Sequence, residues 1–484
     1  MIIQGDCKHV LKNLPAKSFD ALVTDPPYGF NKQPDLAEVF GHWIKGDDYE
    51  ATGSGFMGKT WDSFVPGPAT WREVFRVLKP GAYGAVFAGS RTAYLMAASL
   101  RLAGFEVVDQ LLWLYGSGFP KSLDVSQEVD KLDAKQLKKE SAYRCTDWIR
   151  EFCPLSSGQI DKFLGRNGMG RHYRDKAPGG KQPEIPTRAD LEKLRPFFTA
   201  AVPQWFEDLV DVRTFESENH NSREVIERYK KVAGLNEWRQ KYGEQTSAGN
   251  LGARTAPHSE EAKAWHGYGT ALKPGYEPVI LVRKPTALTY AENVVTHGTG
   301  ALNIEGSRIP FVNNDSTVRL GRAEMGYHGG NKSTEYKTGS NLGRFPANIL
   351  HDGEAFEGKE WERYFYCAKA STADRDDGLQ LFEKVSAGDA TGGRKEGSAG
   401  LNSPRAGAGR RDGARNTHPT VKPTELMRWL CGLLARPGAS ILDPFTGSGS
   451  TWRGAKLNQQ KFVGVELSAE YIQIAKARAG AIKP

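Results

Sequence analysis

Four consecutive residues near the start of the chain carry groups that could act on an amine: Asp25, Pro26, Pro27 and Tyr28. The apolar run Phe19–Val23 before them is typical of a buried strand, and prolines cannot donate to a sheet ladder, so the strand should end at Asp25. A carboxylate and a proline carbonyl can accept hydrogen bonds from the exocyclic NH2 group of a nucleobase, and a tyrosine can stack on its ring. A Pro-Pro turn with a capping aspartate has the same sequence, so this motif alone leaves both interpretations open.

A second motif, near the carboxyl end of the chain, predicts a ligand-binding turn between a strand and a helix. It consists of Asp443, Pro444, Phe445, Thr446, Gly447, Ser448 and Gly449. Glycines let a backbone approach a ligand closely, and the amino end of a helix favours an anionic group. Ser450 or Thr451 is the expected cap of the helix that follows.

The residues of this turn argue against two common classes of ligand-binding loop. It lacks the lysine that follows the glycines of a phosphate-binding loop, and it lacks the third glycine of a dinucleotide fingerprint. Glu466 ends the next predicted strand, where an acid can bind the two hydroxyls of a ribose. An adenosine that carries a carboxylate and no pyrophosphate fits this pattern, which describes S-adenosylmethionine.

Together the two motifs resemble those of the DNA amino-methyltransferases, which modify adenine N6 or cytosine N4. Asp25–Tyr28 looks like the catalytic motif of that family, Asp443–Gly449 is similar to its methionine-binding motif, and Asn416–Pro423 resembles the segment before the latter. The catalytic motif comes first, which matches the permuted beta group. The resemblance covers roughly residues 1–120 and 266–484.

The resemblance implies an α/β fold: a Rossmann-like, doubly wound mixed sheet with helices on both faces, circularly permuted and split by an inserted helical block. It implies S-adenosylmethionine as the cofactor and no metal. Besides Glu466 and the turn, it places Lys422 and Pro423 at the cofactor and gives Asp6, after a short first strand, a contact to the adenine edge. A turn-forming Gly-Asp pair is the alternative interpretation of Asp6.

The amino-acid composition is that of an ordinary soluble protein with a positive net charge. The chain has 484 residues, 39% of them hydrophobic and 25% charged, and a net charge of +8, which suits a polyanionic partner. Its five cysteines are scattered without a CxxC pair, so we expect neither a zinc site nor a disulfide framework. No apolar run reaches the length of a membrane span, and a reducing cytoplasm is the simplest compartment. The resemblance implies that the cell is bacterial or phage-infected.

Changes in sequence character divide the chain into five predicted parts. Residues 1–122 form the catalytic half of the methyltransferase domain, residues 123–265 a helical insert, and residues 266–285 a returning sheet strand. Residues 286–350 are rich in Gly, Asn, Ser and Arg, and residues 386–416 in Gly and Ala. The resemblance to the permuted group makes residues 286–417 the candidate target-recognition region, although flexible linkers have the same composition. Residues 418–484 form the cofactor-binding half.

A basic stretch within the insert is a candidate DNA contact. Residues 162–181 carry six Lys or Arg against one acid, and Arg166, Arg171 and Arg174 are the arginines among them. Short helices beside this stretch could form a DNA-contacting module. A solvated insertion with a basic face would look the same.

These observations predict transfer of a methyl group from S-adenosylmethionine to adenine N6 in double-stranded DNA, by base flipping and direct in-line transfer. Adenine N6 is favoured over cytosine N4 because Asp25 occupies the first position of the catalytic motif. In the family that the chain resembles, an aspartate there usually accompanies adenine and a serine usually accompanies cytosine N4. An RNA or protein amine, or a catalytically inactive DNA-binding protein, remain alternatives. Phe30 and Trp43 are candidates for the base pocket, and the sequence leaves a homodimer open.

Overall fold

The structure is a computed structural model that describes most of the chain. It describes residues 1–29, 34–51, 62–116, 122–165, 168–174, 183–218, 225–230, 251–255, 257, 260–310, 319–323, 334–338, 343–353, 355–356, 362, 365–368, 372–385 and 415–482. These residues form two compact units. The first contains residues 1–119 and 274–484, and the second contains residues 120–232 and 237–273.

A mixed sheet organises the first unit. The strands of the chain are β1 (Ile2–Gln4), β2 (Phe19–Thr24), β3 (Leu78–Phe87), β4 (Glu106–Leu114), β5 (Val225–Lys230), β6 (Leu251–Thr255), β7 (Tyr276–Arg283), β8 (Arg319–Ala323), β9 (Thr334–Thr338), β10 (Ile349–His351), β11 (Tyr366–Cys367), β12 (Ser440–Asp443) and β13 (Lys461–Glu466). Nine of them form the sheet in the order β1-β13-β12-β2-β3-β7-β4-β10-β11. Strand β7 runs antiparallel to β3 and β4, and the remaining pairs are parallel.

Helices complete the first unit and build most of the second. They are α1 (Cys7–Val10), α2 (Leu36–Lys45), α3 (Pro68–Val77), α4 (Ala93–Leu102), α5 (Val125–Phe152), α6 (Ser157–Leu164), α7 (Met169–Arg174), α8 (Arg188–Leu194), α9 (Gln204–Glu218), α10 (Glu260–Ala264), α11 (Tyr290–His297), α12 (Thr372–Asp376), α13 (Thr424–Leu434), α14 (Ser450–Leu457) and α15 (Ala469–Gly480). None of the helices in the described part of the chain has the length and apolarity of a membrane span.

Both faces of the sheet are covered, because its strands alternate apolar residues between two hydrophobic clusters. On β2, Leu22 packs with α2, α3 and α4 in one cluster, while Ala21 and Val23 pack with α13 in the other. This arrangement confirms the predicted α/β fold with a mixed, doubly wound sheet. Circular permutation stays a prediction.

The first strand lies at the edge of the sheet, next to the strand that ends at Glu466. Ile2, Ile3 and Gln4 pair in parallel with residues 464–466, so β1 lies beside β13 and third from β2. Asp25 lies immediately beyond the last residue of β2, as the two prolines required. The carboxyl ends of β1, β13, β12 and β2 therefore meet at one edge of the sheet, which is where open α/β sheets bind ligands.

The region between residues 286 and 417 contains more regular structure than its composition suggested. Helix α11 begins with a capping box, in which Thr289 and Glu292 satisfy each other's backbone amides. Strands β10 and β11 extend the main sheet next to β4, and β8 pairs with β9 in a separate hairpin. Because this region supplies two sheet strands, part of it serves the fold; residues 386–414 lie outside the described residues.

The second unit has a hydrophobic core of its own. Trp148, Tyr173 and Phe206 are buried in a cluster that joins α5 to α7 and α9. The hydroxyl of Tyr173 donates to the buried carboxylate of Asp190 at 2.7 Å, which satisfies both polar groups inside the core. The insert is thus a folded helical module.

Candidate functional site

The loop after β2 is held in place by two side chains from elsewhere in the chain. The carboxylate of Asp62 accepts from the amide of Tyr28 at 2.9 Å and from that of Gly29 at 3.4 Å, and the hydroxyl of Thr92 donates to the carbonyl of Tyr28 at 2.7 Å. Gly29 has a φ of +64°, and a Cβ there would lie 3.0 Å from the backbone of Phe64. The loop is therefore fixed before any substrate binds.

Four side chains from three distant parts of the chain meet at this loop. Tyr28 donates its hydroxyl proton to Oδ1 of Asp25, with an O···O distance of 2.8 Å, and its oxygen lies 3.2 Å from Oε2 of Glu277. Lys422 Nζ lies 2.5 Å from Oδ2 of Asp25 and 3.3 Å from Oε2 of Glu277. The side chains of Asp25, Glu277 and Lys422 are only 17%, 9% and 7% exposed. We call these four residues the carboxylate–lysine cluster.

Burial dominates the protonation behaviour of this cluster. Removal from water raises the pKa of Asp25, the Lys422 ammonium opposes that rise, and the negative charge of Glu277 adds to it. Burial, followed by the charges of Asp25 and Glu277, raises the pKa of Tyr28 well above its usual value, so this hydroxyl stays protonated and acts as a donor. The cluster thus presents an acidic group whose ionisation depends on a neighbouring lysine.

Glu277 was not among the residues singled out from the sequence. It lies near the start of β7, and because β7 is antiparallel to β3, its start lies at the edge where the parallel strands end. An acid beside the apolar run Val279–Val282 is unusual in a buried strand, and that was the available signal. The direction of β7, which brings Glu277 to the loop, could not be read from the sequence.

Lys422, which the resemblance places at the cofactor, has its ammonium on Asp25, 5.3 Å from the centre of the Tyr28 ring. A contact of Lys422 with the cofactor stays a prediction. The backbone carbonyl of Lys422 accepts from the hydroxyl of Ser450 at 2.8 Å, which links the lysine to the start of α14. Pro423 directly follows it and caps α13.

The predicted cofactor turn is joined to the end of β2, directly before Asp25, by a buried hydrogen bond. Thr24, the last residue of β2, donates its hydroxyl to Oδ1 of Asp443 at 2.6 Å, and the amide of Phe445 donates to the same oxygen at 3.1 Å. Burial raises the pKa of Asp443 to about 6. Asp443 therefore shapes the turn and ties it to β2, while Pro444 is buried beneath it.

The glycines of the turn are required by the protein's own packing. Gly447 has a φ of +51°, and a Cβ there would lie 2.7 Å from Nε2 of His418. Gly449 has a φ of +80° and caps α14, so the prediction that Ser450 or Thr451 caps this helix is wrong. The cap position has a left-handed backbone conformation, which glycine adopts more readily than serine or threonine. Ser450 and Thr451 therefore lie inside the helix.

Other turn residues have partners within the fold. The carbonyl and hydroxyl of Ser448 both accept from the guanidinium of Arg478, at 2.7 Å and 3.2 Å. Phe445 is half-buried, with its ring centre 6.0 Å from that of Trp71 in an edge-on contact. Ser448 thus anchors the turn to α15, and Phe445 is the turn residue with an accessible apolar surface.

The groups at the ends of β1 and β13 fit the predicted cofactor. Glu466 accepts from the amides of Gly447 and Ser468, each at 2.8 Å, and uses one oxygen for each bond. A carboxylate has about four acceptor positions, so both oxygens keep capacity for a diol. Asp6 is exposed after β1, where its Oδ1 accepts from the amide of Lys8 at 2.8 Å. Two acids beside a helix terminus suit a ligand that carries a ribose diol, an exocyclic amine and a cationic sulfonium.

Trp43 and Phe30 were the two residues predicted to line a pocket for the target base. Trp43 is completely buried in the core cluster with Phe64, so it cannot line a pocket for a flipped base and that prediction is wrong. Its position on the inward face of α2 explains this burial. Phe30 lies outside the described residues.

The three arginines of the basic stretch also differ from one another. Arg171 is exposed on α7, whereas the guanidinium of Arg174 donates to the carbonyl of Cys153 within the insert. Arg166 lies outside the described residues. Of the two described arginines, Arg171 is therefore the one whose substitution can report on DNA binding without removing the contact to Cys153.

A group of possible metal ligands lies elsewhere in the first unit. The ligand atoms of His351, Glu362 and Cys367 all lie within 4.8 Å of one another, because His351 and Cys367 pair across β10 and β11. However, Nδ1 of His351 accepts from the amide of Gly353 at 3.2 Å, so this nitrogen has a partner within the fold. We assign no metal to this group.

Comparisons with known proteins agree with the resemblance found in the motifs. Residues 331–477 match the model of the DNA methylase family that comprises the N6-adenine and N4-cytosine enzymes. A stretch of 61 residues is 39% identical to the DNA adenine methyltransferase YhdJ of Escherichia coli K12, and it covers 13% of this chain and 21% of that protein. The chain thus spans about a fifth of this relative's length.

Two solved structures are similar at low identity. The complex of M1.HpyAVI with S-adenosylmethionine aligns over 99% of this chain and 98% of that one, with 12% identity and a TM-score of 0.32. The cytosine-N4-specific PvuII DNA methyltransferase aligns over 99% of this chain and 85% of that one, with 10% identity and a TM-score of 0.34. The matched family confirms the resemblance to the amino-methyltransferases, and S-adenosylmethionine is the cofactor of that family.

Proposed function

We propose that this protein is a DNA methyltransferase that transfers a methyl group to the N6 amine of adenine in double-stranded DNA. The observation that carries the proposal is the hydrogen bond between Thr24 and Asp443. It fixes the amine-binding loop and the cofactor turn on neighbouring parallel strands, although the two motifs are separated by most of the chain. Two reactants held side by side in this way gain much of the acceleration that orientation can supply.

Binding of the methyl donor is assigned to residues at the ends of β1, β12 and β13. Glu466 would hold the ribose, Asp6 the adenine edge, and the turn of Gly447 the methionine portion, with Phe445 offering apolar contact. When bound there, S-adenosylmethionine supplies an electrophilic methyl group.

The catalytic loop would bind the target amine and orient it. Asp25 accepts a hydrogen bond from the amine and the carbonyl of Pro26 a second one, which directs the nitrogen lone pair out of the base plane. Pro27 stiffens the loop, and Tyr28 offers its ring as a surface on which the base can stack. Since the loop is tied to Asp62 and Thr92, these acceptors are oriented in advance. The base must leave the helical stack to reach them, so base flipping is part of the proposal.

The test is to identify the product. Methylation-free duplex DNA would be incubated with the protein and S-adenosylmethionine, digested to nucleosides and analysed by mass spectrometry. We expect N6-methyladenine. N4-methylcytosine would overturn the choice of base and keep the mechanism, 5-methylcytosine would overturn both, and activity confined to RNA would change the substrate class.

A further inference from the structure

The carboxylate of Asp25 already binds a lysine. Oδ1 of Asp25 accepts from Tyr28, and Oδ2 faces the ammonium of Lys422 at 2.5 Å. Each oxygen keeps a further acceptor position, but an amine at Oδ2 would share that oxygen with a charged donor, which binds a carboxylate more strongly than a neutral NH2 group does. Movement of the lysine away from Asp25 would therefore strengthen the hydrogen bond to the amine.

Glu277 provides a second position for the same ammonium. Its Oε2 lies 3.3 Å from Nζ of Lys422, compared with 2.5 Å for Asp25, so a small rotation of the lysine exchanges the stronger contact for the weaker one. The lysine side chain is only 7% exposed, and a buried ammonium without a carboxylate would be costly. With Glu277 present, Lys422 can leave Asp25 and keep an anionic partner.

We propose, on the basis of the function proposed above, that Glu277 is a positioning residue: it receives Lys422 when the target amine takes the oxygen of Asp25. Tyr28 belongs to the same exchange, because its hydroxyl lies within reach of both acids. As Lys422 moves from Asp25, Tyr28 keeps one hydrogen bond to Asp25 and holds the carboxylate in orientation. The lysine stays close enough to keep Asp25 ionised.

Four groups set the charge on Asp25, and they come from different elements. Lys422 precedes α13, Glu277 begins β7, Tyr28 shares the loop and Asp443 ends β12. Two neighbouring carboxylates without a cation tend to share one proton. Loss of Lys422 should therefore make Asp25 easier to protonate, and loss of the charge on Glu277 should make it harder.

Three variants test this exchange in the full-length protein: Glu277→Gln, Glu277→Asp and Lys422→Gln. The rate of transfer of a tritiated methyl group from S-adenosylmethionine to methylation-free DNA would be measured across pH 4.5–8.5. For Glu277→Gln we expect kcat to fall about 100-fold, the scale of a misplaced reacting group, with the Kd for S-adenosylmethionine unchanged. The acidic limb of its pH profile should move to lower pH, whereas that of Lys422→Gln should move to higher pH.

The conservative variant and a matched control separate this role from a structural one. Glu277→Asp should recover part of the lost kcat, because it restores the charge. Glu106→Gln neutralises a half-exposed carboxylate on the neighbouring strand β4 that pairs with Arg283, away from the carboxylate–lysine cluster, and it should leave kcat and the pH profile unchanged. An unchanged kcat in Glu277→Gln, or an equal loss at every pH without a shift of the acidic limb, would overturn the inference. If the wild-type protein methylates no DNA, the proposed function fails instead.

Discussion

The two units of this protein both contain groups of charged side chains, and these groups differ in how they are built. In the carboxylate–lysine cluster, Lys422 and Asp25 are 397 residues apart in sequence and are both largely buried. In the insert, Arg195 pairs with Glu192 and Glu207, which are 3 and 12 residues away, and the Arg195 and Glu192 side chains are 40% and 52% exposed. Water screens the second group and not the first, so charge can control chemistry only in the first.

Removing Asp25 should produce the largest effect. For Asp25→Ala we expect methyl transfer to fall roughly 1,000-fold, because the amine loses a preorganised acceptor in a buried site. Binding of S-adenosylmethionine, measured by calorimetry, should be unchanged, and Asp109→Ala, which removes an exposed acid from β4, should be fully active. An active Asp25→Ala protein would show that the cluster is not the catalytic site.

Substitution of Gly447 should affect cofactor binding and stability together. The left-handed φ of +51° costs an alanine about 1 kcal/mol, and the 2.7 Å approach to His418 should add about 1 to 3 kcal/mol. Gly438→Ala is the matched control, because Gly438 has a φ of +79° and a Cβ there would meet nothing within 4 Å. We expect weaker binding of S-adenosylmethionine only in Gly447→Ala. Equal effects of the two substitutions in urea unfolding and calorimetry would mean that the clash with His418 is unimportant.

A third effect is a pH dependence of stability that originates at His418. Burial, followed by the charge of Arg375, lowers the pKa of this ring to about 3. The unfolded chain binds the proton near its ordinary pKa of about 6.5, so the stabilising contribution is present above that pH and is lost as the pH falls. Between pH 7 and 5, the free energy of unfolding should decrease by about 2 kcal/mol through this group alone.

Urea unfolding at both pH values would measure this contribution. His418→Gln should show a smaller decrease between pH 7 and 5 than the wild type by about that amount, because glutamine does not titrate. The same decrease in both proteins would contradict the assignment to His418.

The smallest effect is expected in the insert. Neutralising the exposed Arg171 with glutamine should weaken DNA binding and reduce the slope of log affinity against log salt by about one, since one fewer phosphate contact forms. Arg195→Gln removes the same charge from the same unit but from the network with Glu192 and Glu207, and it should leave the slope unchanged. Identical slopes in both variants and the wild type would leave the insert without a role in phosphate binding.

These contrasts also explain what the sequence could predict. The strands β1, β2 and β12 were predictable because buried apolar runs and the following turn residues are local signals. The cap of α14 was misassigned because a serine and a glycine are adjacent there, and only the backbone conformation decides between them. Asp62, Thr92 and Glu277 were missed because their roles depend on contacts with residues far away in the chain.

The contact between Lys422 and Asp25 also depends on residues far apart in the chain. The place of Lys422 before the cofactor turn in sequence suggested a cofactor contact, yet the lysine side chain is long enough to reach the neighbouring strand end. Its position depends on the pairing of β2 with β12 in the sheet. Sequence motifs thus predict which residues form the candidate site, while the charge balance among them depends on the fold.

The pairing of β2 with β12 has a consequence for synthesis on the ribosome. The amide of Ser440 donates to Asp20 across 420 residues, so β2 emerges long before the strand that covers it. At 5 to 20 residues per second, its edge would wait for roughly 20 to 80 s. During that interval the helical insert, which has its own core, can fold while the sheet edge remains open to other chains. A nascent chain would therefore contain the Asp25–Tyr28 loop early and its lysine partner about 397 residues later, and chaperone demand should peak between these two events.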